Sequence, residues 1–386
     1  MTTQTLHPVL GYYSDHVAEI VALTTTLANY ETPTGSKAHV DKLADYLEEL
    51  LKNDLGAAVE RLPQAVVGDM LFARWNTDAP GKPILFLMHM DTVWGLGTVP
   101  ARPVHVEGDR LIGPGTWDMK GSIATVLSVI KGLRERGEFP NRPVWALFTS
   151  DEETGSVHSW TTIEKIAADA GLCLVMEFAG AKGGLKTWRK GITGYTVSVK
   201  GRSSHAGNAP EKGINAVVEL AHQTLRITEL NRLDLGTSVS VTVVNGGTAS
   251  NVIPDLATAK VDVRFLTQAE ADRIESAMNS LTPVLPGAVI EITNTGSRPP
   301  MEHNETMIAV FAQAKGIGEQ MGLTITEEGS GGGSDGNITS ALGIPTLDGL
   351  GAMGEGAHAL HEQVVISSFP RSAALLDGIL REWQFA

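Results

Sequence analysis

Histidine and carboxylate side chains recur in five short stretches of this chain, each after a predicted strand or in an adjacent loop. The stretches hold His89 with Asp91, Asp118, the pair Glu152 and Glu153, Glu177, and the group His358, His361 and Glu362. Strand ends in one sheet converge on one crevice, so these side chains are expected to lie together. Crowded carboxylates need counter-charge, and a pair of divalent metal ions supplies it.

This set of residue types suits hydrolysis at a two-metal site. Two zinc ions about 3.5–4 Å apart clamp a scissile carbonyl group and generate hydroxide near neutral pH. A carboxylate that is not a ligand must accept the proton of the attacking water. The adjacent Glu152 and Glu153 offer a ligand and a base side by side. The alternative interpretation of any single stretch is a solvent-exposed acidic loop without a metal. For His89 and Asp91 the alternative is a buried histidine that is hydrogen-bonded to the neighbouring carboxylate.

The elements that must position these groups are short apolar strands. Residues 84–88 form an apolar run that leads directly into His89, and residues 144–149 and 172–176 repeat the pattern. Continuous apolar runs of this length are typical of strands buried on both faces of a parallel sheet. Predicted helices separate them, which indicates right-handed crossover connections.

The same reading predicts helices at 15–30, capped by Ser14, and at 37–52, 122–136, 305–321 and 371–383. From about residue 182 the pattern changes to alternating or β-branched runs at 193–200, 237–244 and 257–265, with helices at 215–228 and 268–280. The sequence therefore predicts an α/β domain with a mostly parallel central sheet flanked by helices, formed by residues 1–181 and 298–386. An inserted α+β domain is predicted to span residues 182–297.

Composition narrows the possible partners. The chain has 386 residues, 42% of them hydrophobic and 19% charged, and a formal net charge of −14, which argues against nucleic acid and anionic membrane. Its single cysteine, Cys173, excludes an intramolecular disulfide and fits a reducing compartment. No signal peptide and no apolar run near the roughly 20 residues of a membrane span is visible. We expect a soluble cytoplasmic protein.

The ordered motifs resemble one known family over nearly the whole chain. HMDTVW, GPGTWDMKGS, DEETGS, MEF, RSSHAG and GAHALHEQV are similar to the dizinc family of acetylornithine deacetylase, succinyl-diaminopimelate desuccinylase, aminoacylase and glutamate carboxypeptidase. The segment ASNVIPDLATAKVDVRF, together with SRPP and GGGSDGN, looks closest to the carboxypeptidase G branch. The resemblance implies two Zn²⁺ per chain, with Co²⁺ or Mn²⁺ as possible substitutes. It also implies hydrolysis of the amide bond to a C-terminal amino acid, and hence a small substrate with a free carboxylate.

Carried over position by position, the resemblance assigns Asp118 as the bridge between the two ions. His89 and Glu177 would complete one ion, whereas Glu153 and a C-terminal histidine would complete the other. The family often has a cis peptide bond after the bridging aspartate, here between Asp118 and Met119.

Two further roles follow from the same resemblance. Asp91 would hold the second ring nitrogen of His89, and Glu152 would act as general base and later as general acid. The C-terminal ligand is His358 if the common family spacing of histidine, three residues and glutamate applies, with Glu362 as that glutamate. His361 is then a bystander or a residue of the rim.

The inserted domain resembles the family's dimerisation domain, so a homodimer is expected. His205 matches a histidine that, in relatives, reaches the partner's active site and polarises the substrate carbonyl; the alternative is an exposed loop histidine. Asn251 and Arg264 match positions that hold the substrate carboxylate, and Arg298 assists them in this interpretation. A strand arginine such as Arg264 otherwise belongs to a solvated face.

Two alternative functions are considered beside this one, and a phosphate-binding role of one loop is rejected. An N-acyl-amino-acid deacylase or dipeptidase would use the same metals and base. A metal-free binding or scaffold protein is disfavoured because every ligand type and Glu152 are retained. The glycine-rich loop 329–337 lacks the lysine and hydroxyl of a phosphate-binding loop and opens no clear helix, so close backbone approach to a site explains its glycines better.

Overall fold

The computed structural model describes residues 6–180 and 182–385. The chain divides into two compact units. The first unit comprises Met1–Thr187, His303–Gly329 and Ser334–Ala386, and the second comprises Trp188–Glu302 and Ser330–Gly333. The roles expected for the two parts, catalysis and dimerisation, stay predictions.

Helices and strands alternate along the first unit, and the second unit is richer in strands. The helices are α1 Pro8–Asp15, α2 Val17–Ala28, α3 Lys37–Glu49, α4 Thr98–Ala101, α5 Gly121–Glu135, α6 Trp160–Ala167, α7 Ala216–Thr228, α8 Gln268–Asn279, α9 Glu305–Gln320, α10 Gly336–Ala341 and α11 Phe369–Glu382. The strands are β1 Ala58–Leu62, β2 Met70–Trp75, β3 Ile84–His89, β4 His105–Glu107, β5 Arg110–Ile112, β6 Val144–Thr149, β7 Leu172–Val175, β8 Leu185–Arg189, β9 Gly191–Lys200, β10 Ser204–His205, β11 Ser238–Gly246, β12 Val252–Ile253, β13 Leu256–Phe265, β14 Val289–Arg298, β15 Glu327–Ser330, β16 Thr346–Leu347, β17 Gly354–Glu355 and β18 Gln363–Val365. No helix among the described residues is both long and apolar enough to cross a bilayer.

The sheet at the centre of the first unit is mostly parallel, as the sequence predicts. Its strand order is β1-β2-β6-β3-β7-β16. Strands β6, β3, β7 and β16 pair in parallel, whereas β1 and β2 add an antiparallel edge. Every residue of β3 is buried, because the strand lies in the middle of the sheet with helices on both faces.

Two apolar clusters cover the two faces of this sheet. Phe86 and Met88 of β3 belong to the larger cluster, which includes residues of α2, α3, α5, α9 and α11. Leu85 and Leu87 point to the other face and pack in a cluster that includes residues of α6 and α10. Burial of each such side chain stabilises the fold by about 1.5–3 kcal/mol. This packing fixes the carboxyl end of β3, where His89 stands.

The predicted cap of the first helix is wrong. Ser14 lies inside α1, where its hydroxyl donates a hydrogen bond of 2.8 Å to the carbonyl oxygen of Leu10. The helix begins earlier because Pro8 occupies its first position and suits a helical start, and His7 accepts the Val9 N–H there at 3.4 Å. A second helix, α2, then follows.

The second unit is built on an antiparallel sheet with strand order β11-β13-β9-β14. Residues of α7 and α8 pack with alternate residues of β9 and β13 to form its apolar core. The sequence reading missed β14, which has many exposed residues. Both Arg264 of β13 and Arg298 of β14 pair with Ile192 of β9, so these three residues share one sheet face.

Candidate metal centre

His89 is the last residue of β3 and is buried. Its Nδ1 lies 3.0 Å from the backbone oxygen of Asp91 and 3.5 Å from the Asp91 Oδ1 atom. Nδ1 therefore faces Asp91 through both groups, with the backbone carbonyl the closer. This arrangement leaves Nε2 directed at the remaining carboxylates.

Asp91 also organises the turn that carries the adjacent glutamates. Its Oδ1 accepts the backbone N–H of Glu152 at 3.3 Å, and its Oδ2 accepts that of Glu153 at 3.2 Å. The Thr34 hydroxyl donates to the same Oδ2 at 2.6 Å. One fully buried carboxylate thus connects His89 to the loop that follows β6.

The two oxygens of Asp118 face two different imidazoles. Oδ1 lies 3.2 Å from His89 Nε2, and Oδ2 lies 3.3 Å from His358 Nε2. His89 Nε2 is also 3.7 Å from Glu177 Oε1, and His358 Nε2 is 3.0 Å from Glu153 Oε2. The structure therefore brings the five predicted ligands into two groups that share Asp118.

A buried glutamate holds Asp118 in place. Glu362 Oε1 accepts the backbone N–H groups of Trp117 and Asp118, each at 3.0 Å. Its Oε2 accepts the Gly115 N–H at 2.8 Å and the Trp94 indole N–H at 2.6 Å. The peptide bond between Asp118 and Met119 is cis, as the resemblance implies. Glu362 therefore positions the backbone around Asp118, and both of its carboxylate oxygens already accept hydrogen bonds.

The loop between β17 and β18 presents His358 to the cluster and leaves His361 outside it. His358 has a φ of 61°, in the left-handed region that side chains other than glycine seldom adopt. His361 is exposed, and among the described residues it forms no hydrogen bond or ion pair with any of the predicted ligands. The geometry supports His358 as the ligand of the two, although its role stays a prediction.

The imidazoles and carboxylates of the cluster shift one another's pKa values. Burial opposes a charge on His89, but the carboxylates of Asp118 and Asp91 hold its pKa well above the ordinary value. Asp118 and Glu153 raise the pKa of His358 to about 10. Burial favours protonation of Asp118, yet hydrogen bonds from His358 and His89 hold its pKa well below the usual range. Burial raises the pKa of Glu153 in spite of His358.

The donor atoms fit a divalent cation. One nitrogen or oxygen from each of His89, Glu152 and Glu177 lies within 4.8 Å of the others, and so do atoms of His89, Asp118 and Glu153. The Oε1 atom of Glu153 is buried and, among the described residues, has no hydrogen-bond partner. Imidazole nitrogens and carboxylate oxygens are the ligands that zinc binds, and the bound ion replaces their protons.

Glu152 belongs to the edge of this cluster. It stands beside His89 and Glu177, so a water near those ligands is within its reach. Glu153 faces Asp118 and His358 instead. The two neighbouring glutamates therefore belong to different groups of donor atoms that share His89, and their separate roles as base and ligand stay predictions.

In the second unit, His205 and Asn251 are neighbours. β10 pairs with β12, and the Ala206 N–H donates to the Asn251 backbone oxygen at 2.9 Å. The exposed His205 ring accepts the N–H groups of Gly207 at 3.1 Å and Asn208 at 3.0 Å through Nδ1. An accepting Nδ1 assigns the proton of the neutral ring to Nε2, which makes Nε2 a hydrogen-bond donor.

The two predicted arginines lie close to each other on the sheet. Arg264 forms a two-pronged pair with Asp262, with both N–O distances 2.9 Å. Arg298 is largely buried, and a Cβ added at Gly333 would lie 2.9 Å from its Cδ atom. Gly333 and its neighbour Gly332 accept hydrogen bonds from Arg189 at 3.2 and 3.3 Å. Close backbone approach to Arg298 thus explains one glycine of the loop 329–337.

That loop also corrects one expectation. The short helix α10 begins at Gly336, whereas the sequence predicts no clear helix there.

Two positioning residues were not predicted from the sequence, Thr34 and Lys120. Lys120 is buried, donates to the Tyr30 carbonyl oxygen at 2.6 Å, and has its pKa lowered to about 7 by burial. The sequence signal for the burial of Lys120 was its position between the apolar Met119 and the start of the predicted helix that is α5.

Comparison with known proteins agrees with this geometry. The profile of peptidase family M20/M25/M40 matches residues 85–382. Carboxypeptidase G2 of Pseudomonas sp. (strain RS-16) is 34% identical over 368 residues, covering 93% of this chain and 88% of that protein. Succinyl-diaminopimelate desuccinylase of Hahella chejuensis (strain KCTC 2396) is 28% identical over 359 residues, covering 87% of this chain and 91% of that protein.

A solved structure shows the same fold. The M20 family metallo-carboxypeptidase Sso-CP2 from Sulfolobus solfataricus superposes with a TM-score of 0.70 at 20% identity, covering 94% of this chain and 98% of that chain. The family match spans most of the present sequence, including His89, Asp118, Glu152, Glu153, Glu177 and His358. The chain therefore belongs to peptidase family M20/M25/M40 and is a hydrolase of peptide or amide bonds.

Proposed function

We propose that the protein is a two-metal carboxypeptidase that hydrolyses the amide bond to a C-terminal amino acid, with a preference similar to that of glutamate carboxypeptidases. The observation that carries the two-metal part is the position of Asp118, whose two oxygens face His89 and His358 separately. The similarity to carboxypeptidase G2, 34% over 368 residues, supports the substrate class.

His89, Asp118 and Glu177 would hold one ion, and Asp118, Glu153 and His358 the other. Bound divalent ions would polarise the scissile carbonyl group and lower the pKa of a water molecule. Zn²⁺ is the proposed metal, with Co²⁺ or Mn²⁺ as substitutes. The ring orientation of His89 is maintained by Asp91 through both the backbone oxygen and the carboxylate.

Glu152 is the proposed general base. It accepts the proton of the attacking water on a carboxylate oxygen and then donates that proton to the leaving nitrogen, so the amine departs uncharged. Asp91 fixes the Glu152 backbone by accepting its N–H at 3.3 Å. That hydrogen bond fixes the backbone of Glu152, whose carboxylate lies beside His89 and Glu177.

The remaining roles belong to the second unit. His205 is the proposed donor to the oxygen on which negative charge develops, acting from the partner subunit of a homodimer. Its Nδ1 atom is used by Gly207 and Asn208, which leaves Nε2–H as the donating group. The substrate carboxylate is proposed to be bound by Asn251, Arg264 and Arg298. Arg264 would exchange Asp262 for the substrate when it binds.

A deacylase or desuccinylase is the second candidate, because succinyl-diaminopimelate desuccinylase also matches over 87% of this chain. It would use the same ligands and the same base. The two candidates differ only in the acyl group and the amino acid that the site accepts.

Substrate profiling of the metal-loaded enzyme tests the proposal. N-acyl glutamates, other N-acyl amino acids, dipeptides and N-succinyl diamino acids should be compared with Zn²⁺, Co²⁺ and Mn²⁺ added after chelator treatment. The proposal expects chelation to abolish turnover, metal to restore it, and the highest kcat/KM with C-terminal glutamate. A highest kcat/KM with the succinylated diamino acid selects the second candidate, and full activity after chelation contradicts both.

A further inference from the structure

A cavity of about 650 Å³ in the first unit lies outside the candidate metal centre. Its volume is within the ~300–1,000 Å³ range of small-molecule sites. Two cationic side chains, Lys182 and Arg371, line it, and no carboxylate does so among the described residues. The chain has a net charge of −14, whereas the side chains that line this cavity are cationic or neutral, so the local charge is positive. Such a cavity concentrates small anions.

Arg371, near the start of α11, is the more buried cation of the two. Its Nη2 atom donates to the carbonyl oxygens of Gly183 at 2.8 Å and Thr324 at 3.1 Å. Burial lowers the pKa of Arg371, and no acidic group opposes that effect. Because a guanidinium stays charged in proteins, this half-buried cation has polar partners but no counter-ion among the described residues.

Lys182 stands at the exposed side of the cavity, and the described residues provide no ion pair for it. Two acidic groups lie near the cavity. The carboxylate of Asp109 accepts the N–H and the hydroxyl of Ser367 at 2.9 and 2.5 Å, and a Cβ added at Gly184 would lie 3.0 Å from Glu328 Oε2. Neither carboxylate lines the cavity, and among the described residues neither forms an ion pair with Lys182 or Arg371.

The rest of the lining is mainly apolar. Leu10, Leu323, Met353 and Pro370 contribute hydrocarbon or thioether surface. A Cβ added at Gly183 would lie 3.0 Å from Arg371 Cζ and 3.2 Å from Met353 Sδ, so the cationic and apolar surfaces adjoin each other. An apolar wall beside a guanidinium fork suits a ligand with one anionic end and one hydrophobic end.

We infer that this cavity binds a small organic carboxylate with an apolar body, with the carboxylate held by Arg371 and Lys182 and the body against Leu10, Leu323 and Met353. None of the residues that line it is among those proposed to bind the metal ions or the substrate carboxylate. A carboxylate is favoured over phosphate because the apolar lining repels a strongly hydrated, multiply charged ion.

Calorimetric titration of the metal-loaded enzyme with 4-phenylbutyrate tests the inference. We expect one site with a Kd near or below ~1 mM. Arg371→Gln should weaken binding at least about tenfold, and Lys182→Gln about two- to fivefold, as expected for a buried and an exposed charge. Lys165→Gln, which removes an exposed lysine from α6 in the same unit, is the matched control and should leave binding unchanged. So should Arg264→Gln, which alters the proposed substrate site.

Two further probes separate the possible causes of binding. The neutral amide 4-phenylbutyramide should bind at least about tenfold more weakly than the carboxylate. Inorganic phosphate should bind more weakly still. If the amide bound as tightly as the carboxylate, the cavity would be an apolar groove that does not recognise the charge. If phosphate bound as tightly as the carboxylate, the cavity would be an adventitious anion site. No binding up to ~10 mM, or loss of binding in Arg264→Gln but not in Lys182→Gln, would also overturn the inference.

Discussion

Two clusters around buried carboxylates, one in each unit, are neutralised differently. In the second unit, Glu270 is held by Arg273 at 2.7 Å, Arg232 at 3.2 Å and the Thr237 hydroxyl at 2.7 Å. In the first unit, the described partners of Asp118 and Glu153 in ion pairs are the imidazoles of His89 and His358, not lysine or arginine. A guanidinium is permanently charged, whereas an imidazole can exchange its proton for a metal ion.

This difference is consistent with a structural role for Glu270 and with the proposed metal-binding role of Asp118 and Glu153. The Glu270 network needs no further cation, because hydrogen bonds from Arg273 and Thr237 lower its pKa to about 2. In the metal-centre cluster, Asp118 and Glu153 instead raise the pKa of His358 to about 10, and one oxygen of Glu153 has no described hydrogen-bond partner. A cluster of this second type is suited to hold divalent ions.

The largest effect is expected for Glu152→Gln. Glutamine preserves the shape of the side chain but cannot accept a proton, so kcat should fall about 10²–10⁴-fold while both metals stay bound. Glu153→Gln is the matched change, and it should lower the occupancy of one metal. Turnover and metal content measured on both variants show which glutamate is the base and which is the ligand. Metal loss in Glu152→Gln together with retained activity in Glu153→Gln would reverse the assignment.

His205→Ala tests the second unit's contribution. If the ring acts across a homodimer, the variant should lose about 10²–10³-fold in kcat, the usual cost of a missing oxyanion donor. Refolding it together with Glu152→Gln chains gives about half mixed dimers, each with one intact site, so roughly a quarter of wild-type activity should return. The readout is activity of a mixture shown to contain heterodimers. No recovery means that His205 acts within its own chain or not at all.

His358→Ala and His361→Ala distinguish two histidines of one loop. His358 contacts Asp118 and Glu153, so its loss should weaken the affinity for one of the two ions by about tenfold or more. His361 is exposed and outside the cluster, so its loss should change metal affinity less than about twofold. Competition titration with a metal chelator measures both. Similar weakening in the two variants would refute the selection of His358.

The smallest effect concerns the structural acid Glu270. Its pKa in the folded chain, about 2, lies below the ordinary 4.5, so the folded state binds fewer protons over that interval. Its stabilisation is full above about pH 5 and is lost as the pH falls towards the folded value. Glu270→Gln should cost about 1 kcal/mol at neutral pH and progressively less in acid.

Thermal unfolding between neutral and acidic pH measures this difference. Glu275→Gln is the control, since Glu275 is an exposed residue of the same helix. A difference between Glu270→Gln and the wild type that grows in acid would contradict the sign of the argument.

Much of the first unit could be predicted because local pattern and tertiary position agree there. The apolar run 84–88 indicates a strand buried on both faces, and the structure confirms β3 with His89 at its end. The mostly parallel sheet and the family follow from the same pattern and motifs. The start of α1 at Pro8 was misjudged because a plausible cap, Ser14, occurs inside the helix.

Other features depend on contacts that sequence spacing does not encode. The left-handed backbone at His358 and the four hydrogen bonds to Glu362 arise from packing between distant loops. The burial of Lys120 and the link from Thr34 to Asp91 are tertiary in the same way. The strand β14 was not predicted, although Ile290 and Ile292 alternate with exposed residues in its first half; residues 293–297 are all exposed and give no such pattern.

Anomalous diffraction from zinc-loaded crystals tests whether Asp118 bridges two ions held by separate histidines. We expect two peaks about 3.5–4 Å apart, one beside His89 and Glu177 and the other beside Glu153 and His358, with one Asp118 oxygen on each. A single peak, or a second peak bound by His361 in place of His358, would contradict it.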